Sequence, residues 1–330
     1  MRRFLQRCFP RDHQTRANTL ASFVAASSLG FLYLQFPLEP AGAEVVRRGK
    51  PAPAPVVLIP TAAAVAVVAE NSSSETAGQQ SEETLTLSPE LQAEAVLRRK
   101  IEQLEQGMAY LKGIPSYSAQ FTKQELVGDE LSDEQLMTLK VRHEPFSVYL
   151  KWHTGEKGRE AIYVQGENKG EMLVHAGGWK ARLGTLSIDP NGTLAMQENR
   201  HPITQAGILE LAKMMCDYHR RDLQTHNFSR CEKLADSEFD GRACDVYLIE
   251  YKDARSSETY RKSISFLDKE RSVPLYMKNY GWPGANAPTD AAELDEATLL
   301  EFYSFAEIDF GGRVLAADFD HANEEYGFKR

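Results

Sequence analysis

Residues that could act as nucleophiles, proton-transfer groups or metal ligands are present in this chain, but their spacing matches no catalytic or metal-binding motif. Of its eight histidines, His153, His175 and His201 lie in different predicted elements, so separate structural roles are the simplest interpretation. No serine or cysteine has the neighbouring base that activates a nucleophile. We therefore expect no catalytic residue, no metal and no cofactor, and we do not expect an enzyme.

Acidic and amide side chains cluster close to the C-terminus. The cluster comprises Asp318, Asp320, Asn323 and Glu324. A calcium loop requires alternating oxygen ligands, a glycine at the bend and a closing acid, and this arrangement is missing here. We interpret the segment as a polar terminus that packs through Phe319, Tyr326 and Phe328.

The cysteines beyond the N-terminal region leave two disulfide pairings open. Cys231 and Cys244 begin two predicted neighbouring strands, and a bridge between them would add about 3 kcal/mol of stability. However, a hairpin at Asp240-Gly241 would pair Cys244 with Ala235 and leave Cys231 too far along its strand. A bridge that involves Cys216 is the alternative.

The first 43 residues have the organisation of an export signal. Five arginines and one acid precede Ala17, and no charged residue occurs from Ala17 to Leu38. Ala41-Gly42-Ala43 then supplies the small residues of a cleavage site. Residues 1–43 are therefore predicted to be a secretory signal peptide. The alternative is an uncleaved inner-membrane anchor over residues 17–38, because about 20 apolar residues can span a bilayer.

Residues 44–87 are predicted to be a disordered linker. Pro51 to Pro55 alternates proline with alanine, which favours a stiff, extended chain. Asn71 to Glu83 is rich in Ser, Glu and Gln and cannot bury enough apolar surface to fold. Residues 88–330 remain as one folded domain, which is long enough for a sizeable core.

Composition and charge exclude other classes of protein. The chain has 330 residues, of which 42% are hydrophobic, and this is typical of a globular protein. Its formal net charge is −9, and it becomes −12 without residues 1–43, which carry five basic and two acidic side chains. The acidity argues against a nucleic-acid partner, because phosphates are bound by basic side chains.

Two amphipathic helices are predicted within residues 88–330. The first begins at Ser88-Pro89-Glu90, a capping hydroxyl followed by proline in the first turn, and ends near Gly113. Its apolar stripe recurs every three or four positions: Leu97, Ile101, Leu104, Met108 and Leu111. The second helix follows a cap at Thr204 and closes at Arg220-Arg221, with Met214 and Met215 on its apolar face.

After Pro115 the hydrophobic period changes to two, which predicts a succession of strands. The predicted strands cover residues 117–122, 136–141, 146–152, 161–165, 171–176, 183–188, 193–197, 229–235, 243–251, 260–267, 274–280 and 299–310. Residues 281–297 are predicted to be a long loop. Strands that follow one another through tight turns indicate an antiparallel meander.

This order of one helix, several strands, a second helix and further strands resembles the Lol-type lipoprotein carriers. The local sequences that carry the resemblance are Tyr117–Phe121, Leu139–Pro145 leading to Trp152, Ala161–Val164 and Glu171–Val174. More specifically, the chain resembles a bacterial family of unknown function within that superfamily. The segments that match that family are Pro145–Trp152, Gly158–Tyr163, Asn199–Thr204 and Asp318–Phe328.

The resemblance implies an α+β fold with an apolar ligand pocket. We expect a strongly curved antiparallel sheet, an incomplete half-barrel of about 10–11 strands, covered by the amphipathic helices. The carriers have an arginine on an early strand, and Arg142 is its best match, although it could equally be a surface or rim arginine. The expected ligand-binding residues are Arg142, Phe146, Val148, Leu150, Trp152, Tyr163, Met214 and Met215. Methionines at helical spacing are also typical of plain core.

The segment Asn199-Arg200-His201-Pro202, just before the second helix, has two interpretations. Its side chains could line the mouth of the pocket or hold the helix as a lid. Alternatively, they could satisfy backbone carbonyls in a turn.

Three hypotheses about function follow. The first is an exported periplasmic or cell-envelope protein that carries or senses a lipid, an acylated protein or another apolar ligand. The second is an envelope scaffold module without a small ligand, held away from a membrane by the linker. The third is a hydrolase, which no residue pattern requires. Membrane contact through residues 17–38 would apply only if they are uncleaved, and the sequence gives no indication of the oligomeric state.

Overall fold

The computed structural model describes residues 88–312 and 314–328. The predicted signal peptide or anchor and the predicted linker, residues 1–43 and 44–87, lie outside the described residues. The described chain forms four α-helices and 13 strands. Within these ranges, no helix is both long enough and apolar enough to cross a membrane.

Helix α1, Pro89–Lys112, forms where the sequence predicts it. The Leu91 N–H donates a hydrogen bond to the Ser88 hydroxyl at 3.4 Å, and Pro89 occupies the first turn, so the N-terminus is capped as expected. Four residues of its predicted stripe are buried: Leu97, Ile101, Leu104 and Leu111.

The strands and remaining helices follow in two runs. The first run is β1 Ser116–Val127, β2 Glu130–Leu131, β3 Gln135–Arg142, β4 Ser147–Trp152, β5 Glu160–Val164, β6 Met172–His175, β7 Thr185–Ile188, α2 Thr193–Met196 and α3 Ile208–Thr225. The second run is β8 Phe228–Lys233, β9 Ser237–Phe239, β10 Arg242–Tyr251, β11 Lys262–Asp268, β12 Pro274–Tyr280, α4 Ala291–Ala297 and β13 Leu299–Asp309.

All strands belong to one antiparallel sheet with the order β7-β6-β5-β4-β3-β1-β13-β12-β11-β10-β8. This main path has eleven strands, and the short strands β2 and β9 add to β1 and β10. In the described chain β7 and β8 form the two edges and do not pair, so the sheet is open. The predicted fold class, an antiparallel half-barrel with helices, is confirmed.

The centre of the sheet joins the first long strand to the last. Strand β1 pairs with β13 so that Phe121 lies opposite Phe305 and Glu125 opposite Glu301. On either side, consecutive strands form meanders, β3 to β7 and β8 to β12. Because directly opposed residues share a face of the sheet, one face is continuous across both meanders.

Helices α1 and α3 pack on each other and cover that face. Tyr247 Oη on β10 donates to Gln103 Oε1 on α1 at 2.8 Å, and Tyr251 Oη donates to Asp222 Oδ2 on α3 at 3.0 Å. The opposite face is covered at β4 and β5 by the C-terminal segment, residues 314–328. There Tyr149, Ile162 and Val164 pack with Phe319 and Phe328, and Tyr326 packs against the same cluster, which confirms the predicted docking of this segment.

Three predicted elements differ from the observed ones. The strand predicted at 193–197 is instead the short helix α2, Thr193–Met196, with Gly192 as its N-cap, because the sheet ends at β7 and the chain turns back over it. Helix α3 begins at Ile208 with Gly207 as its N-cap, and Thr204 lies in a preceding 3-10 turn. The predicted loop 281–297 contains α4, whose first N–H groups are capped by the Asp290 carboxylate.

Candidate functional site

A cavity of about 460 Å³ lies between the helix-covered face of the sheet and a cover made of α3 and residues 190–207. Its apolar wall consists of Phe121, Met137, Leu150, Trp152, Ala161, Met172, Val174 and Phe305. These residues form one surface because the register places Phe121 opposite Met137 and Leu150 opposite Ala161. The volume falls within the range of about 300–1,000 Å³ that small-molecule sites occupy.

Helix α3 contributes a mixed face to this cavity. Its apolar lining residues recur at helical spacing: Leu211, Met214 and Tyr218. Charged residues of the same helix line the rim: Glu210, Lys213, Asp217 and Arg221. A ligand that entered below α3 would therefore pass a charged rim before it reached the apolar wall.

The N-terminus of α3 is fixed to the sheet. The Ile208 N–H donates to Tyr117 Oη on β1 at 2.7 Å. Gly207 before it has a φ of +103°, and a Cβ at this position would lie 2.7 Å from the same tyrosine oxygen. Burial raises the pKa of Tyr117, so its hydroxyl stays neutral. Only glycine satisfies both the backbone conformation and the close approach.

At one end of the cavity, the lining residue Glu125 and the buried Glu301, which contacts the lining residues His201 and Tyr303, form a polar corner. Five side chains reach Glu301: Tyr260 Oη at 2.8 Å, Asn279 Nδ2 at 2.7 Å, Arg200 Nε at 3.2 Å, His201 Nε2 at 3.1 Å and Tyr303 Oη at 3.4 Å. Glu125 accepts hydrogen bonds from Tyr303 Oη at 2.5 Å and from Lys123 Nζ at 3.0 Å. Lys123 also donates to Asn199 Oδ1. The two carboxylates thus connect β1 and β13 to the cover.

The polar corner favours the ionised form of both members of the His201–Glu301 pair. Burial opposes the charge on Glu301, but the hydrogen bond and the charge of His201, with the hydrogen bonds of Asn279 and Tyr260, lower its pKa to about 2. Burial likewise opposes the charge on His201, but the hydrogen bond and charge of Glu301 raise the His201 pKa above its ordinary value. When His201 is protonated, the arrangement is an imidazolium–carboxylate pair in which the carboxylate is fully buried and the imidazolium partly exposed.

The segment Asn199–His201 both lines the cavity and satisfies backbone groups, so both interpretations of its sequence apply. The Arg200 N–H donates to Glu125 Oε2 at 3.2 Å, and Arg200 Nη1 donates to the Leu126 carbonyl at 2.9 Å. Asn199 Nδ2 donates to the Ala195 carbonyl at 2.7 Å. Asn199 and His201 also line the cavity. We call residues 199–201 the anchor segment.

The structure brings three of the eight predicted ligand-binding residues into the cavity wall: Leu150, Trp152 and Met214. Met215 lines an adjoining cavity of about 20 Å³ under α3. Val148 and Tyr163 are buried core residues, and Phe146 contacts the Tyr163 ring at a centroid distance of 6.3 Å. Ligand binding by these residues stays a prediction.

Arg142 does not contribute to the cavity, which corrects the expectation for this residue. Its neighbour Val141 lies opposite Val148 on the helix-covered side, so the alternation of β3 turns Arg142 to the other face. There its guanidinium carbon lies 5.0 Å from the centroid of the Phe319 ring. Its Nη2 donates to Ser147 Oγ at 2.9 Å. Arg142 therefore holds the C-terminal segment on the sheet.

The bridge considered between Cys231 and Cys244 is not formed. The described cysteines, Cys216, Cys231 and Cys244, are all free and buried. In the sheet, Cys231 lies opposite Ile249, whereas Cys244 lies opposite Ser237. The two sulfurs thus sit at positions five residues apart along β10, and a disulfide requires much closer approach. The alternative bridge to Cys216 is absent as well.

Sequence reasoning missed the polar corner, although β1 carries a signal for it. Phe121, Lys123 and Glu125 occupy alternate positions that continue the core-facing row of this strand. A lysine and a glutamate at core-facing positions require partners, and these come from β13 and the anchor segment. Within residues 88–312 and 314–328, no three His, Cys, Asp or Glu side chains are grouped closely enough to hold a metal ion.

The chain belongs to a protein family described as "Protein of unknown function (DUF1571)". The family model matches residues 114–328, which include every strand of the sheet and helix α3. This match confirms the predicted membership in a bacterial family of unknown function. No curated protein matches the chain.

Several solved structures are similar to the chain at low sequence identity. Lipoprotein LppX of Mycobacterium tuberculosis is 9% identical, with a TM-score of 0.37 over 66% of this chain and 99% of that chain. A domain assigned as an outer membrane lipoprotein-sorting protein of Vibrio parahaemolyticus is 15% identical, with a TM-score of 0.32 over 68% and 97%. A chain of the Pseudomonas aeruginosa MucA/MucB complex is 12% identical, with a TM-score of 0.36 over 65% of this chain and 60% of that chain. The family assignment does not depend on these similarities.

Proposed function

We propose that this protein is an exported cell-envelope protein that binds an acyl chain, of a lipid or of an acylated protein, in the cavity beneath α3. The observation that carries the proposal is the cavity itself: about 460 Å³ with an apolar wall supplied by six strands. Burial of an apolar chain against such a wall is favourable by about 25 cal/mol per Å². Tightly packed core would leave no comparable volume.

The polar corner supports a polar or anionic head group for the proposed ligand. When His201 is protonated, the corner holds three cationic side chains, Lys123, Arg200 and His201, and two carboxylates, Glu125 and Glu301. The excess of one positive charge in a buried setting favours an anionic or strongly polar head group. The ligand class is therefore an amphiphile, with its chain along β4 to β6 and its head toward His201.

Binding, rather than catalysis, is the role that this chemistry supports. The carboxylates of the corner are occupied by donors from the protein itself, and His201 is engaged with Glu301. A general base would instead be held close to a nucleophile or a substrate proton. Export is supported by the sequence of residues 1–43, with a basic start, an uncharged apolar run and a small-residue cleavage site.

The test is lipid rebinding by the full chain after delipidation. A fluorescent fatty acid and a fluorescent phospholipid are titrated into wild type, Ala161→Phe and Ala285→Phe. Ala161 is 3% exposed in the cavity wall, so a phenyl group there would fill the binding space, and we expect at least about tenfold weaker binding. Ala285 lies in an exposed loop, and its variant controls for added aromatic surface.

Two outcomes would contradict the proposal. One is the absence of saturable acyl binding by the wild-type chain. The other is binding that Ala161→Phe and Ala285→Phe leave equally strong, which would assign the affinity to residues outside the cavity. Either result would favour the scaffold hypothesis, in which partner proteins contact the outside of the domain.

A further inference from the structure

Three of the six exposed large apolar side chains in the described chain occur within a stretch of 16 residues. Trp179 is 80% exposed, Leu194 is 60% exposed and Leu186 is 43% exposed. An isolated exposed leucine needs no explanation, but a group of large apolar side chains usually marks an interaction site. Trp179 lies in the 3-10 helix Gly178–Leu183 between β6 and β7.

The register places Leu186 beside the cavity, and Leu194 is next in sequence to a lining residue. Leu186 on edge strand β7 lies opposite Val174, which is part of the cavity wall. Leu186 therefore extends the apolar wall outward to the edge of the sheet. Leu194 precedes Ala195 on α2, and Ala195 also lines the cavity.

A chain of ion pairs holds the segments together at one end of the sheet. Lys180 Nζ, next to Trp179, lies 3.4 Å from Glu156 Oε1. Arg159 Nη1 lies 2.7 Å from Glu156 Oε2 and 2.7 Å from Glu198 Oε2, just beyond α2. The 3-10 helix, the β4–β5 loop and the C-terminal end of α2 thus meet at the same end. We call Trp179, Lys180, Arg182, Leu186 and Leu194 the mouth patch.

The charge of the mouth patch differs from that of the whole chain. Lys180, Arg182 and Arg159, taken together with the ion-pair partners Glu156 and Glu198, give a local net charge of +1, whereas the chain has a net charge of −9. Lys180 and Arg182 are both exposed residues. Tryptophan favours the boundary between water and acyl chains, and lysine and arginine beside it favour anionic head groups.

We propose that the mouth patch docks the protein on a bilayer that contains anionic phospholipid, with Trp179 inserted at the head-group level. The tryptophan and the two leucines supply the apolar contact, and Lys180 and Arg182 supply the attraction to lipid phosphate. Docking in this orientation places the cavity wall, through Leu186, next to the membrane surface. The inference goes beyond ligand binding and does not require that the cavity hold a lipid.

The experiment measures whether Trp179 enters the bilayer. The full chain is mixed with vesicles of phosphatidylcholine alone or with phosphatidylglycerol, in which the acyl chains of one lipid are brominated and quench nearby tryptophan. We expect part of the tryptophan emission to be quenched in anionic vesicles, and we expect Trp179→Phe to remove that part. Trp152 and Trp282 remain in this variant and report any binding through other regions.

Charge reversal supplies the second arm. Lys180→Glu and Arg182→Glu should each lower the apparent affinity for anionic vesicles, measured by the quenching titration, by about fivefold or more. Lys169→Glu, at an exposed site in the β5–β6 turn, should leave that affinity unchanged. Quenching that is the same in Trp179→Phe and wild type would overturn the proposal. The proposal would also be overturned if the quenching of Trp179 were the same in neutral and anionic vesicles and were unchanged by Lys180→Glu and Arg182→Glu. Acyl rebinding by the delipidated protein is a separate readout, so the two proposals can fail independently.

Discussion

Glu301 and Lys100 are both fully buried, but only the carboxylate is surrounded by partners. Lys100 lies on α1 with its Nζ 5.6 Å from the centroid of the Tyr247 ring. Within the described chain its ammonium group has no hydrogen-bond partner. Burial lowers the pKa of Lys100 to about 8, although the nearby Cys231 thiol and Asp222 carboxylate oppose the shift. Lys100 is therefore a residue that weakens the folded state.

Replacement of Lys100 by methionine should stabilise the protein at pH 7. Methionine has a similar length and carries no charge to desolvate, and the lowered pKa corresponds to roughly 3 kcal/mol. The folded pKa of about 8 lies below the ordinary value of 10.5, so the unfolded chain binds more protons between these values. The destabilising contribution of Lys100 should therefore decrease as the pH rises from about 8 to 10.5, and the stability difference between Lys100→Met and wild type should shrink over this range.

Urea unfolding at pH 7 and pH 10 measures both effects. Lys112→Met, at an exposed position on the same helix, is the matched control and should change stability by less than about 0.5 kcal/mol. A Lys100→Met protein that is less stable than wild type at pH 7 would show that the ammonium group contributes favourably after all.

At the scale of elements, the anchor segment connects the cover of the cavity to the sheet through groups that titrate. His201 faces Glu301, Glu125 and Arg200, and Lys123 lies on the other side of Glu125. Because its pKa is raised in the folded state, His201 contributes its full stabilisation of that state below about pH 6.5. This stabilisation is lost as the pH rises through the pKa of His201 in the folded protein. Because the pKa of Glu301 is lowered, this carboxylate stabilises the folded state above about pH 4.5, and the stabilisation is lost as the pH falls toward 2.

The anchor segment should therefore be held most firmly between about pH 4.5 and 6.5. Amide hydrogen exchange of residues 197–206, corrected for intrinsic rates, should become faster as the pH is raised from 6 to 8. His201→Gln keeps a hydrogen-bonding side chain without the titration, so it should remove this pH dependence. His153→Gln, at an exposed position, should retain it, and equal slopes in all three proteins would contradict the assignment to His201.

The sequence predicts elements whose determinants are local. Helix α1 follows from its cap and its stripe, and β12 has the bounds that its alternation predicts. The polar corner depends on the register that places Glu125 opposite Glu301. Because β1 and β13 are distant in sequence, no local sequence pattern predicts this register. Arg142 shows the same limit at one position, because a single step along β3 decides which face its side chain takes.

At the scale of the whole molecule, the two faces of the sheet are covered by different parts of the chain. The helices cover one face, and residues 314–328 cover β4 and β5 on the other. Lys140 Nζ lies 2.5 Å from Asp318 Oδ1, and the Gly327 N–H donates to Glu160 Oε2 at 2.6 Å. The C-terminal segment is therefore a structural part of the half of the sheet that forms most of the cavity wall.

Phe319→Ala should consequently loosen the β4–β7 half of the sheet more than the β8–β12 half. Phe319 is 4% exposed, and removal of a buried phenyl ring costs about 3–5 kcal/mol. Hydrogen exchange should show the largest loss of protection in β4 and β5. Leu315→Ala, at an exposed residue of the same segment, should leave both halves unchanged, and a loss spread evenly over all strands would contradict this division.

The pairing of β1 with β13 has a consequence for how the chain reaches its folded state. Each meander can assemble from neighbouring strands, but the two become one sheet only when the last long strand is available. Long-range pairing of this kind is slow, because a large loop must close before the contact forms. During synthesis from the N-terminus, the edge of β1 that pairs with β13 will thus stay unpaired until residues 299–309 have been synthesised. During that interval the exposed strand edge is open to pairing with other chains, and a chaperone that shields it would raise the yield of folded protein.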